Sequence, residues 1–310
     1  MSYEIHNVAV IGSGPAGLTA AIYTARANLN PLCIEGTDAG GQLMTTTEVE
    51  NFPGFENGIM GPVLMDTMKK QAERFGTKFI SGDVAKVDFT RHPFILTVGK
   101  NEIITKSVII ATGATARYMG LESELKYRGR GVSACATCDG FFYKDKEVLV
   151  IGGGDSAMEE ATFLTRFATK VSIVHRRNEF RASAIMQKRA LSNPKIAVIW
   201  DTVLHEVLGN GTVTGAKLKN VKTNEITTIK CDGIFLAIGH DPNTKPFRGS
   251  IEIDDNGYII TKNHTQTSVK GVFAAGDVID RRYKQAITAA GMGCMAALDA
   301  QHYLEEIESK

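Results

Sequence analysis

Two cysteines separated by two residues, Cys135-Ala136-Thr137-Cys138, carry the most reactive spacing in this 310-residue chain. Thiols so placed can close a disulfide with each other or open one in another molecule by exchange. If the pair opens a helix, the partial positive charge of the helix N-terminus lowers a thiol pKa and eases thiolate attack. Asp139 follows directly and is placed to carry protons to and from the sulfurs. Zinc would need further ligands. There is no second Cys-x-x-Cys, and Cys33, Cys231 and Cys294 stand singly in apolar or strand-like runs, where thiols pack as small buried hydrophobes. The expectation is a redox pair and no metal site.

A dithiol needs a source of electrons, and the pair lies between two nucleotide fingerprints. The first runs from Val8 through Gly12, Gly14, Pro15 and Ala16 to Gly17; the second runs from Val148 through Gly152, Gly154, Asp155 and Ser156 to Ala157. Each follows an apolar strand and precedes a helical pattern, which is the context the motif requires. The residue at the end of the next strand meets the adenosine ribose. In the first copy that residue is Glu35, whose carboxylate suits a free ribose diol, as in FAD or NAD. In the second it is His175, followed by Arg176 and Arg177, with Arg181 a turn later. Guanidinium forks hold a 2′-phosphate that a carboxylate would repel, so this site reads as one for NADPH. A flavin couples a two-electron hydride donor to a disulfide, so the first site reads as one for FAD. Gly276-Asp277 ends another apolar strand and offers an acceptor for ribitol hydroxyls.

The order of elements predicts how these sites are carried. Strand 5–11, a helix over about 15–27 and strand 31–35 open the first unit; residues 40–55 read as a loop and 62–75 as a helix. Strands near 77–89 and 92–99 form a meander, and 107–113 is a buried strand. A second unit over about 117–244 repeats the plan. Residues 271–277 and an Ala/Gly-rich helix over about 285–304 then complete the first. The predicted fold is α/β, with two Rossmann-like dinucleotide-binding domains, one inserted into the other. The FAD domain is 1–116 plus 245–310 and the NADPH domain, carrying the Cys-x-x-Cys, is 117–244. Dithiol and NADPH site ride on one body and the flavin on the other, so turnover is expected to need a rotation about the short crossings near 114–117 and 241–246.

Charge is balanced at a net +1, which gives no case for nucleic acid or membrane binding by bulk electrostatics. No apolar run approaches a membrane span, no secretory leader is legible, and an odd cysteine count argues against a disulfide framework. A reducing, cytoplasmic compartment is expected.

The motifs together resemble the low-molecular-weight thioredoxin reductases of the bacterial and fungal type over nearly the whole chain. They are Gly-Ser-Gly-Pro-Ala-Gly at 12–17, Gly-Gly-Gln-Leu at 40–43, Glu-Asn-Phe-Pro-Gly-Phe at 50–55 and Ala-Thr-Gly-Ala at 111–114. Cys-Ala-Thr-Cys-Asp-Gly at 135–140, Gly-Gly-Gly-Asp-Ser-Ala at 152–157, His-Arg-Arg at 175–177, Ala-Ala-Gly-Asp at 274–277 and Gln-Ala-Ile-Thr at 285–288 complete the set. The resemblance implies NADPH-dependent reduction of thioredoxin through FAD and the Cys135–Cys138 pair, in a homodimer. It assigns Cys138 to the flavin side, Cys135 to attack on the thioredoxin disulfide and Asp139 to acid–base work. It implies FAD contacts from Gly41, Gln42, Leu43, Asn51, Ala111, Thr112, Gly113, Asp277, Gln285 and Ala286. Ser156, Arg176, Arg177 and Arg181 would surround NADPH. Lys284 departs from the arginine usual in the family before Gln285-Ala286. Ferredoxin-linked relatives lack this cysteine pair or the 2′-phosphate arginines. Oxygen-using dithiol oxidases typically lose the arginines. A peroxiredoxin-reductase subunit carries an extra N-terminal part, where this chain starts at the FAD strand. A nucleotide-sensing module would not need a reactive pair.

Overall fold

A computed structural model describes residues 4–46 and 48–309. They form two compact units, one from residues 1–115 with 241–310 and one from 116–240.

The first unit is built on a sheet whose strand Ile5–Ile11 pairs in parallel with Leu32–Ile34 on one side and with Asn101–Ile110 on the other. Lys78–Ile80 extends it in parallel beyond Leu32–Ile34. Residues 77–89 are therefore not one meander strand: Lys78–Ile80 joins the parallel sheet, and Val84–Asp88 pairs antiparallel with Phe94–Val98. The last buried strand is also longer than 107–113. Its first half, from Asn101 to Thr105, pairs with Phe94–Val98, while Val108–Ile110 pairs with Val272–Ala274. Ala111, Thr112 and Gly113 lie beyond its end. Residues 41–45 form a short 3-10 turn inside the segment read as loop.

Helix Pro15–Arg26 starts with proline at a position needing no N–H, and Asn28 follows it in the left-handed region at φ 61°. It packs on the long helix Ala286–Glu308 through small residues. A Cβ on Gly293 would come within 2.1 Å of the Ala16 carbonyl oxygen, so glycine there sets the approach of the two helices. A methyl forced into such a contact costs about 1–3 kcal/mol. The same shared face is lined by Ala289, Ala296, Ala297 and Ala300. Asn243 lies with this unit: its backbone N–H donates to Gly113 O at 3.0 Å and its side-chain amide to Thr112 O at 2.8 Å.

The second unit carries a parallel sheet in the order Val132–Ser133, Gly233–Ala237, Glu147–Gly152, Lys170–Val174, Ile196–Ile199. Helices Asp155–Leu164 and Ala184–Leu191 accompany it, and a three-stranded antiparallel sheet spans 202–230. Its strands 148–151, 171–174 and 234–236 are buried along their length, as parallel strands covered on both faces must be. No helix among the described residues is long and apolar enough to cross a membrane.

Candidate functional site

Both fingerprints fold by one rule. Gly12, just after its strand, and Gly152, the last residue of its own, each stand against a carbonyl at the end of a neighbouring strand: an added Cβ would lie 2.3 Å from Ala111 O and 2.4 Å from Ala237 O respectively. Gly17 is equally closed, since its Cβ would fall 1.9 Å from Gly12 O. Gly14 and Gly154 differ, because a Cβ on either meets nothing within 4 Å. These two glycines are the N-caps of helices Pro15–Arg26 and Asp155–Leu164, and neither helix start has a side-chain cap. Open space above uncapped N–H groups is what a pyrophosphate requires. The residues present therefore fit a dinucleotide in each unit.

In the first unit Glu35 is buried at the strand end, with one carboxylate oxygen 2.8 Å from Lys69 Nζ. A carboxylate accepts several hydrogen bonds, so this pairing leaves acceptor sites for a ribose diol. Ser13 links the fingerprint to the following loop: its hydroxyl donates to Glu35 O at 3.2 Å and accepts from Gly40 N at 2.9 Å. Gln42 donates through its amide to Ala114 O. Asn51 donates to Gln285 Oε1 at 3.2 Å, which joins two sequence-distant candidate residues, and Gln285 caps the helix that begins at Ala286. Asp277 sits after Val272–Ala274, and burial pushes its carboxyl up to about 6, with the Asp280 charge raising it further and Lys284 opposing. Asp280 itself accepts from the backbone N–H of Arg282, Tyr283 and Lys284 at 2.7–2.8 Å. That cap holds Lys284 in the left-handed region at φ 48° and its Nζ on Arg281 O at 2.7 Å.

In the second unit His175 is a buried packing residue. Its ring nitrogens lie 3.0 Å from Gly152 O and 2.9 Å from Glu179 O, and a Cβ on Gly153 would lie 2.2 Å from the ring. Burial, with the backbone carbonyls opposing and the Arg176 and Arg177 charges adding, holds it below its ordinary pKa. Arg176, Arg177 and Arg181 are exposed, and among the described residues no acid pairs with any of them. The Asp155 carboxylate is occupied locally, accepting from Ser183 N and Oγ at 2.8 and 2.9 Å, while Ser156 is exposed.

Cys135 and Cys138 form a disulfide in the same unit. Cys135 is the N-cap of the one-turn helix Ala136–Asp139, and the Cys138 N–H donates to its sulfur at 3.2 Å. Ser133 Oγ accepts from Cys135 N at 3.0 Å and fixes the entry to the turn. Cys138 is exposed and Cys135 half-buried. Burial raises the Asp139 carboxyl above its usual range, partly offset by the Ser133 hydroxyl, so it holds its proton more firmly than a surface aspartate. Burial also pushes the Cys33 and Cys231 thiols up, which keeps them inert in exchange. Cys294 does not follow the expectation for a buried thiol: it is half-buried, with Tyr23 beside it. Among the described residues no cluster of His, Cys, Asp and Glu could hold a metal. Lys69, Ser13, Ser133 and Asp280 hold candidate residues in place and were not singled out by the sequence, because each acts through a fold-dependent contact.

Comparison with known proteins agrees with this geometry. A thioredoxin reductase of Rickettsia conorii is 56% identical over 304 residues, covering 96% of this chain and 98% of its own. One from Streptomyces coelicolor is 54% identical over 310 residues, covering 99% and 96%. The solved thioredoxin reductase of Giardia duodenalis superposes with a TM-score of 0.94 at 45% identity, covering 97% of this chain and 99% of its own. The family profile of pyridine nucleotide-disulphide oxidoreductases matches residues 6–293, and the chain belongs to that family.

Proposed function

We propose that this chain is a thioredoxin reductase that passes electrons from NADPH, through FAD, to the Cys135–Cys138 disulfide and on to the disulfide of a thioredoxin. The observation that carries the reading is a closed Cys-x-x-Cys disulfide on the unit that also presents three exposed arginines, paired with no acid among the described residues, beside a nucleotide cradle. When bound, a flavin couples the two-electron nicotinamide donor to a disulfide. The remaining work falls to this chain's own side chains. The N–H groups beyond Gly14 and Gly154 hold pyrophosphates, Glu35 accepts from the ribose of FAD, and Asp277 accepts from ribitol hydroxyls. Gln42, Asn51 and Gln285 bound the same cradle. Arg176, Arg177 and Arg181 grip the 2′-phosphate of NADPH, while His175 supports the loop from below.

Reduction of the pair takes two electrons and two protons, breaks the Cys135–Cys138 bond and yields two thiols. Asp139 supplies and recovers a proton. The dithiol then exchanges with the thioredoxin disulfide, so that one S–S bond forms as the other breaks. In this reading Cys138 serves the flavin side and Cys135 forms the bond to thioredoxin. Because the pair and the arginines belong to one unit and the FAD residues to the other, turnover also requires the units to move. The working form is a homodimer in the cytoplasm. The deciding experiment follows NADPH oxidation by the purified yellow protein with and without oxidised thioredoxin. Thioredoxin-dependent oxidation is expected; a protein that holds flavin and consumes NADPH at the same rate without thioredoxin overturns the proposal.

A further inference from the structure

The turn that follows Asp277 is tied to a single carboxylate. Asp280 is 6% exposed, and its backbone N–H donates to Gly276 O at 3.1 Å, which anchors it beside the strand end that carries Asp277. Its Oδ1 accepts from the N–H groups of Arg282 and Tyr283 at 2.7 and 2.8 Å, and its Oδ2 accepts from the N–H of Lys284 at 2.8 Å. The third bond falls on a strained residue. Lys284 has φ 48°, in the left-handed region that a residue with a Cβ disfavours by about tenfold or more. Gln285 is built on that turn. Its side-chain amide donates to Tyr283 O and Lys284 O, both at 3.1 Å, and its Oε1 accepts from Asn51 Nδ2 at 3.2 Å. Its backbone is closed by Thr288, whose hydroxyl accepts from Gln285 N at 3.3 Å and donates to Gln285 O at 2.9 Å. The Asp280 carboxylate therefore fixes the backbone from which Gln285 meets Asn51, and joins the strand end at Asp277 to the loop at 50–55.

We propose that Asp280 is a positioning residue for the flavin: by holding Lys284 in the left-handed region it sets Gln285 and Ala286 in place before FAD arrives. This rests on the reading of the first cradle as an FAD site given above. Without the bond from the Lys284 N–H, the left-handed strain is no longer offset. The turn relaxes toward negative φ, and the carbonyls that seat the Gln285 amide turn with it. FAD must then restore the turn as it binds, and its affinity falls by the cost of doing so. Asp280→Asn is the selective probe. The amide keeps an oxygen for Arg282 and Tyr283 and turns an N–H toward that of Lys284, donor against donor. Lys284→Gly removes the strain itself, because glycine adopts a positive φ freely.

The test uses the purified, flavin-loaded full chain as wild type, Asp280→Asn, Lys284→Gly and the double variant. FAD release on dilution is followed by the gain in flavin fluorescence. Trypsin cuts after Arg281 and Arg282, both exposed, are mapped by mass. Asp280→Asn is expected to release FAD about tenfold faster than wild type and to be cut about tenfold faster at these two sites. On the Lys284→Gly background the same substitution is expected to change release by no more than about threefold, because strain no longer drives the turn open. A contribution to general stability alone predicts equal effects on both backgrounds. Wild-type release by Asp280→Asn, or an equal loss on both backgrounds, overturns the proposal. Should Asp280→Asn not fold, Lys284→Val carries the test. A β-branched side chain is more strained at this φ, so release about fivefold faster than wild type is expected, and an unchanged rate is fatal to the idea. A wild-type protein that purifies without flavin, while Asp280→Asn is still cut faster and Lys284→Gly suppresses the difference, sustains the hold on the turn and sinks the FAD reading instead.

Discussion

Asp277 is asked to do two opposed things, and replacing it separates them. Its carboxyl ends an apolar strand, is proposed to accept ribitol hydroxyls, and receives no hydrogen bond from any described residue. Burial lifts it from 3.8 to about 6, with Asp280 pushing the same way and Lys284 against. The folded value lies above the unfolded one, so the native state holds the proton more tightly. The stability this contributes is fully present below about 3.8 and is lost as pH rises through about 6. Above that range the ionised carboxylate costs on the order of 3 kcal/mol in the flavin-free protein. Asp277→Asn removes the ionisation. Flavin-free Asp277→Asn should therefore melt roughly 6 °C or more above flavin-free wild type near pH 8, and the gap should largely close by about pH 4. Its flavin affinity should fall, because a charged acceptor becomes a neutral one. Thermal unfolding of both proteins, stripped of flavin, across that pH range is the assay. No gain near pH 8, or an equal gain near pH 4, would refute the reasoning from burial.

Three further outcomes are expected. Arg176→Ala with Arg177→Ala should weaken NADPH by roughly a hundredfold and leave NADH nearly unchanged, since two charge-assisted bonds to the 2′-phosphate are lost; cofactor preference by steady-state kinetics checks this, and an unaltered NADPH/NADH ratio rejects the assignment. Cys135→Ser or Cys138→Ser should abolish thioredoxin reduction while NADPH still bleaches the flavin in anaerobic stopped flow. Gly14→Ala should fold normally and lose flavin content, because its methyl has room in the protein and none beside a pyrophosphate; Gly17→Ala should instead lower the melting temperature, its Cβ being directed within 1.9 Å of Gly12 O.

The motifs were legible because they encode backbone contacts that leave no choice of residue. Gly12, Gly17 and Gly152 are glycine since a carbonyl oxygen stands where their Cβ would be. The strand-end positions of Glu35 and the arginines were legible because they follow those glycines at a fixed distance along the chain. Elements made by distant pairing were not. Lys78–Ile80 has three residues, and only its register with Leu32–Ile34 puts it in the parallel sheet. The polar half of Asn101–Ile110 is a strand because Phe94–Val98 folds back on it. Cys294 was misjudged because its helix buries one face against Pro15–Arg26 and leaves Met295 and Leu298 beside it exposed. Lys69 reaches Glu35 across 34 positions, a pairing that no local pattern announces.

The difference between the two cradles begins one residue inside the fingerprint, before any nucleotide-specific side chain. At the second position the first copy has Ser13 and the second has Gly153. The Ser13 hydroxyl bridges Glu35 O to Gly40 N, so it locks the strand end that carries Glu35 to the loop that carries Gln42. Gly153 offers no side chain, and the His175 ring fills the space instead, 2.2 Å from where a Cβ would stand. Because that ring is buried and sits against the Gly152 and Glu179 carbonyls, the strand ends on a rigid base. Arg176 and Arg177 are therefore the first residues free to project into solvent, and the Gly153 carbonyl in turn accepts from Arg181 N at 2.8 Å. A serine at 153 would expel the ring and move all three guanidinium groups together. If the arginines hold the 2′-phosphate as proposed, that preference would be set by what a missing Cβ lets the histidine do, as much as by the guanidinium groups themselves.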